Sequence, residues 1–82
     1  MNVRYDHDID AIYFNLTDSP SYDSEEIKEG IVIDYDRHDN IVGIEILNFS
    51  KQKQNGLTIN DLPFPSDKLN IITQYFNMPV LV

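Results

Sequence analysis

The chain has no cysteine and no tryptophan, only three glycines, and six basic residues against 14 acidic ones in 82 positions. Without cysteine there is neither a disulfide framework nor a thiolate zinc site, a composition suited to a reducing cytoplasm. So few glycines leave no phosphate-cradling loop, and no cofactor motif is present. The shortage of Lys and Arg gives a net charge of −8. That disfavours nucleic acid, whose phosphates are bound mostly by those side chains, and it disfavours anionic membrane surfaces. No apolar run approaches the roughly 20 residues of a membrane span, and the opening MNVRYDHDID carries no signal-peptide core. A soluble, cytoplasmic protein is the expectation.

What is present is ordinary for a globular domain: 41% of the residues are hydrophobic, which argues against disorder. A chain of this length makes one domain near the lower size at which a single core suffices, so self-association would help it. The charge is uneven. Residues 1–50 hold 12 acidic residues against Arg4, Lys28 and Arg37, a net of −9, while residues 51–82 hold Asp61 and Asp67 against Lys51, Lys53 and Lys68, a net of +1. Residues 1–50 therefore read as an acidic β domain and 51–82 as a C-terminal extension of the same domain.

The stretch Gly30–Ser50 organises the rest. Ile31, Ile33 and Tyr35 alternate with Val32 and Asp34, the period of a strand; a second strand, rich in β-branched residues, runs from about Asn40 to Leu47. A four-residue loop at Asp36–Asp39 sets Ile31 opposite Ile44 and Ile33 opposite Val42. Ile31, Ile33, Tyr35, Val42, Ile44 and Ile46 then form a core face. Val32, Asp34, Ile41, Gly43, Glu45 and Leu47 form the other, too apolar to leave wholly in water and too acidic to bury. Upstream, Val3 and Tyr5 mark a short strand. Ala11–Leu16 is another, with Ile12, Phe14 and Leu16 on its apolar side. Tyr22–Lys28 reads as a polar extended lead-in, and Gly30 permits a bend or bulge. The expected fold is α+β: a four-stranded antiparallel β-meander with a C-terminal segment packed on it.

That segment is harder to read. Lys51–Gly56 is polar with no apolar period, and Leu57–Pro65 has the character of a loop. Ser66 is placed to cap a helix, and Leu69, Ile72, Tyr75 and Phe76 have roughly helical spacing over 66–77. The β-tolerant residues there leave strands at Leu69–Thr73 and Met78–Val82 as the competing assignment. The apolar tail Met78–Val82 is expected to dock rather than fray.

The string Tyr5-Asp6, Ala11-Ile12-Tyr13-Phe14-Asn15-Leu16, Gly30-Ile31-Val32-Ile33-Asp34-Tyr35-Asp36, then Ile41-Val42-Gly43-Ile44-Glu45-Ile46-Leu47 and Ser50 resembles the small bacterial proteins of domain of unknown function 2283. The similarity covers about residues 2–51. It implies a short antiparallel β domain with no established enzymatic activity, and some members look like antitoxin halves of small gene pairs, which implies a protein partner. The family usually has Gly near Asp39, so Asp39 is expected to adopt a left-handed backbone.

Two constellations could carry function. In a meander the first and third turns share one end of the sheet, so Asp6, His7, Asp8 and Asp10 would meet Asp36, His38 and Asp39. Asp6, Asp8, Asp36 and His38 are the candidate ligands there for calcium or magnesium, or with the imidazoles for zinc or manganese. An EF-hand is excluded, because counts from Asp6 and from Asp34 both lack the required glycine. Solvated turn carboxylates are the plainer account. The mixed face is the second: Val32, Asp34, Ile41, Glu45 and Leu47 would form an interface. Asp34 and Glu45 could suggest a two-carboxylate hydrolase, but no pocket loops or orienting basic residues accompany them, and catalysis is not expected. The leading expectation is a non-enzymatic protein–protein interaction domain, a homodimer or the partner of a small basic protein. The alternative is a divalent-cation protein using the acidic turns.

Overall fold

A computed structural model describes residues 1–78 of the chain. The strands are β1 (Asn2–Asp6), β2 (Ala11–Asn15), β3 (Asp23–Lys28), β4 (Ile31–Tyr35) and β5 (Ile41–Ile46). The helices are α1 (Phe49–Gln54) and α2 (Leu69–Phe76), with single 3-10 turns at Ile59–Asp61 and Ser66–Lys68 between them. The fold is α+β, and the chain divides after Phe49 into two compact units.

The first unit is a five-stranded antiparallel sheet in the order β1-β2-β5-β4-β3. This corrects the four-stranded meander in two respects. The polar stretch 23–28 is a strand, exposed at every residue, held by its ladder to β4. And β2 pairs with β5, so the chain crosses from β2 to the far edge before returning as β3-β4-β5, a Greek-key arrangement. The physical reason is charge. Next to β2, the sequence Asp-Ser-Glu-Glu-Ile-Lys would be a central strand with carboxylates pressed between two neighbours; at the edge they stay in water. The β5 partnership instead sets Ile12 against Ile46 and Phe14 against Ile44.

Across β4 and β5, Ile31 faces Ile46 and Ile33 faces Ile44, two residues away from the expected register. A shift of two preserves the faces. Ile12, Phe14, Leu16, Ile31, Ile33, Val42, Ile44 and Ile46 are all no more than 2% exposed, while Tyr35, expected with them, is only half-buried. The slip arises at the turn. Asp36 N donates to Asn40 O at 2.9 Å, and the register breaks between Asp34 and Tyr35, so that Tyr35 faces Ile41 and Val42 is the extra residue. Gly30, at φ 78°, accommodates the tight entry to β4 beside a second register break between Glu26 and Lys28.

In the second unit the helical assignment holds over Leu69–Phe76 and excludes a strand at Leu69–Thr73; Pro79–Val82 lie outside the described residues. Ser66 does not cap this helix. It opens the preceding 3-10 turn, whose boundary residue is Pro65 without a side-chain cap bond. Ile72 is buried, and Phe64 meets Phe76 edge to face at 5.9 Å. Lys53 Nζ donates to the carbonyls of Tyr75 at 3.4 Å and Met78 at 3.2 Å, placing a cation on the negative end of α2. That lysine comes from α1, in the stretch expected to be a polar connection. Its residues are good helix formers, and the sequence offered only a missing apolar stripe.

Asp39 adopts φ 63°, the left-handed backbone expected of it. Its side chain accounts for no hydrogen bond there, so Asp39→Gly removes strain without removing a contact. The substitution should stabilise the protein by about 0.5–1 kcal/mol, the left-handed penalty less the entropy of glycine, read as a rise in thermal midpoint; an unchanged or lower midpoint contradicts the strain.

Candidate functional site

The outer face of the sheet carries a connected set of polar side chains. Strand register places Arg4 beside Tyr13, Tyr13 beside Glu45 and Glu45 beside Val32; the adjoining row runs Asn15, Gly43, Asp34, Ser24. Tyr13 leaves its own row. Its hydroxyl crosses Gly43 and donates to Asp34 Oδ2 at 2.8 Å, while Ser24 Oγ donates to Asp34 Oδ1 at 2.6 Å. At the other end the Arg4 guanidinium lies 5.3 Å from the Tyr13 ring centroid, a cation–π distance. One residue from each strand is thereby joined in sequence: Arg4, Tyr13, Gly43, Asp34 and Ser24.

Gly43 is the residue that allows this. A β-carbon there would stand 2.6 Å from Tyr13 Cζ and collide with the hydroxyl. An isolated glycine inside a strand marks such a close approach, and this was the signal in the sequence that could have found Tyr13; neither Tyr13, Ser24 nor Arg4 stood among the expected site residues. Burial pushes the Tyr13 phenol from 10 up to about 12, with the hydrogen bond to Asp34 and that carboxylate's charge adding to the effect, the Arg4 charge opposing it and Glu45 adding a little.

Of the expected interface residues, Val32, Asp34 and Glu45 share this face and are half-buried. Glu45 stands between Tyr13 and Val32, and among the described residues no buried side-chain nitrogen or oxygen lacks a partner. The bulge pairs Ile41 with Tyr35 and not with a residue of the outer face. Leu47 lies past the end of β5, its N–H donating to Gly30 O at 2.7 Å.

The expected cation ligands are not brought together. β2 begins beside the end of β5, so the β1–β2 turn with Asp6 and Asp8 is at one end of the sheet, and the β4–β5 turn with Asp36 and His38 is at the other. About five residues separate them, roughly 16 Å along the strands. The strand order, not the placement of the turns in the sequence, differs from the expected meander. Among the described residues no group of three or more His, Asp or Glu is placed to hold a metal. Asp6 accepts from Asp8 N at 3.0 Å. Asp36 accepts from His38 N at 2.8 Å, Asn40 N at 3.0 Å and Asn40 Nδ2 at 3.2 Å, and the Asn40 backbone bond leads in holding its pKa below the ordinary carboxylate value. These carboxylates build turns. Near the β1–β2 turn an open concavity of about 490 Å³ is lined by Arg4, Asp6, His7, Ile9, Tyr13 and Glu45, among others, with charges of both signs and no nucleophile–base arrangement.

The model of a family described as "Protein of unknown function (DUF2283)" matches residues 2–50. The chain belongs to that family. The DUF2283 match covers all five strands and the start of α1, so the Tyr13–Asp34 crossing lies wholly within it. No match was found among curated proteins or solved structures. Among the described residues no helix of this DUF2283 protein is long and apolar enough to cross a membrane.

The neutral Tyr13 phenol is the form the folded state favours, so its contribution to stability is complete below pH 10 and is lost as pH rises through about 12. Tyrosine-labelled NMR titration should show the Tyr13 phenol titrating at about 12 and falling toward 10 in Asp34→Asn; an ordinary value for Tyr13 would refute the crossing. In a double-mutant cycle, Gly43→Ala should destabilise by about 2 kcal/mol by displacing the phenol from a charged acceptor. In a Tyr13→Leu background it should have little effect; an equal loss in both backgrounds would place the constraint elsewhere.

Proposed function

We propose that this DUF2283 protein is a non-enzymatic interaction domain that binds a basic protein through the outer face and the adjoining edge strand β3. The observation that carries this reading is a set of exposed carboxylates that no cation neutralises among the described residues. Asp23, Glu25, Glu26 and Glu29 are exposed and Glu45 is half-exposed, and among the described residues none of the five is in an ion pair. Asp23 and Glu26 each accept one backbone N–H, from Ser24 and Gly30, and keep their full negative charge. The net charge of −9 over residues 1–50 makes that face repel its own copy and attract a cationic surface, whose approach the field accelerates. The hydrogen bonds of Tyr13 and Ser24 to Asp34 fix the side chains beneath, which limits the ordering cost of binding. A neutralising, antitoxin-like half of a two-protein pair is the form of this function that best suits a small acidic domain without catalytic machinery.

The test is recovery of the tagged chain from its native host at low ionic strength, with the complex mass measured by light scattering. The expected result is one stoichiometric basic protein whose affinity falls steeply with salt. Glu45→Lys and the pair Glu25→Lys with Glu26→Lys should each weaken it about tenfold, as like charges replace opposite ones, while circular dichroism stays unchanged. Recovery of the chain alone, or a partner indifferent to these changes, defeats the proposal.

A further inference from the structure

β1 and β3 are the two edges of the sheet, and they differ in what they can accept. β3 is acidic, exposed throughout and broken in register between Glu26 and Lys28, features that block the addition of another strand. β1 has no bulge and no proline. It pairs with β2 in unbroken register from Asn2 to Asp6, and among the described residues β2 is its only strand neighbour. Its charges are one of each sign, Arg4 and Asp6, two residues apart and therefore on one face. Their β2 neighbours are Tyr13 and Ala11, so that face is the outer one.

Two copies joined edge to edge by a two-fold axis perpendicular to the sheet run antiparallel, with one residue facing itself across the seam. The choice of that residue is decided by charge. Centring on Arg4 or on Asp6 opposes like charges, and centring on Val3 sets Arg4 against Asn2. Centring on Tyr5 sets Arg4 of each copy against Asp6 of the other, two reciprocal ion pairs, and opposite charges directly across a ladder stabilise it where like charges destabilise. The geometry points to self-association of this protein through antiparallel β1–β1 pairing centred on Tyr5, with Arg4 and Asp6 exchanged across the seam. Two five-stranded sheets become one of ten strands. The acidic β3 edges then lie at its two outer limits, so the seam leaves the face for a basic partner open and presents it twice.

The purified full chain alone suffices for the test, so the outcome is independent of whether a basic partner exists. Sedimentation equilibrium over a rising concentration series should show a monomer–dimer equilibrium, with amide protection along β1 increasing with concentration and that along β3 unchanged. Arg4→Asp and Asp6→Arg should each weaken the dimer about tenfold, because each turns two attractions into two repulsions. Mixing these two variants should restore association as a heterodimer, since every seam position then meets its opposite. Should Arg4→Asp unfold through loss of its contact with Tyr13, Asp6→Asn and the exchange data decide the matter. A chain that stays monomeric into the millimolar range overturns the inference, as does a dimer indifferent to the single changes or a mixture that fails to associate.

Discussion

The phenol of Tyr13 crosses one strand to reach the next, and that crossing sets what its neighbours must be. Position 43 has to be glycine, because any β-carbon would occupy the lane taken by the ring. Position 34 has to offer an acceptor, and a carboxylate is a stronger one than an amide. With one Asp34 oxygen taken by Tyr13, the other is left to Ser24 on the edge strand. The crossing therefore fastens β2 to β4 over the top of β5 and passes the connection on to β3. Glycine in the middle of a strand weakens it by itself; here the loss is offset by a hydrogen bond to a charged group that ties together strands not adjacent in the sheet.

The acidic residues divide into two populations by what they touch. Asp6 and Asp36 accept backbone N–H groups of their own turns, and Asp10, with φ 53°, accepts the Tyr5 hydroxyl at 2.6 Å. These are the local bonds that make Asp a turn former. Asp34 anchors the outer face. On the exposed β3, Asp23 receives the adjacent Ser24 N–H and Glu26 that of Gly30, while Glu25 meets solvent. A fold that sets Asp23, Glu25 and Glu26 together along one edge strand has a polarity that a total charge does not convey.

Legibility followed the physics of burial. β2, β4 and β5 were readable because each buries one face, so Ile12, Phe14, Ile31, Ile33, Ile44 and Ile46 recur with period 2. β3 was not, because a strand exposed on both faces leaves no apolar alternation to detect, and its existence depends on backbone pairing. Missing it changed the topology, and the topology decided which turns share an end of the sheet; the separation of Asp6 and Asp8 from Asp36 and His38 follows from that one error. The Asp39 backbone was foreseeable from family resemblance, and the α2 helix from the spacing of Leu69, Ile72 and Phe76. The Tyr13–Asp34 contact joins residues 21 positions apart, and only Gly43 hinted at it.

The Greek-key order also fixes when the sheet can close during synthesis. Ile12 and Phe14 emerge early, yet their partners on β5, Ile46 and Ile44, lie 34 and 30 positions later. Until those residues leave the ribosome, the hairpin of β1 and β2 has one face of unsatisfied apolar side chains, and a two-stranded hairpin is marginal in water by itself. The loop-closure entropy of joining such distant segments must be met before the contacts repay it. Folding of this small sheet is in consequence governed by its last strand, whose arrival completes at once the β2 ladder, the β4 ladder and the lane beneath Tyr13.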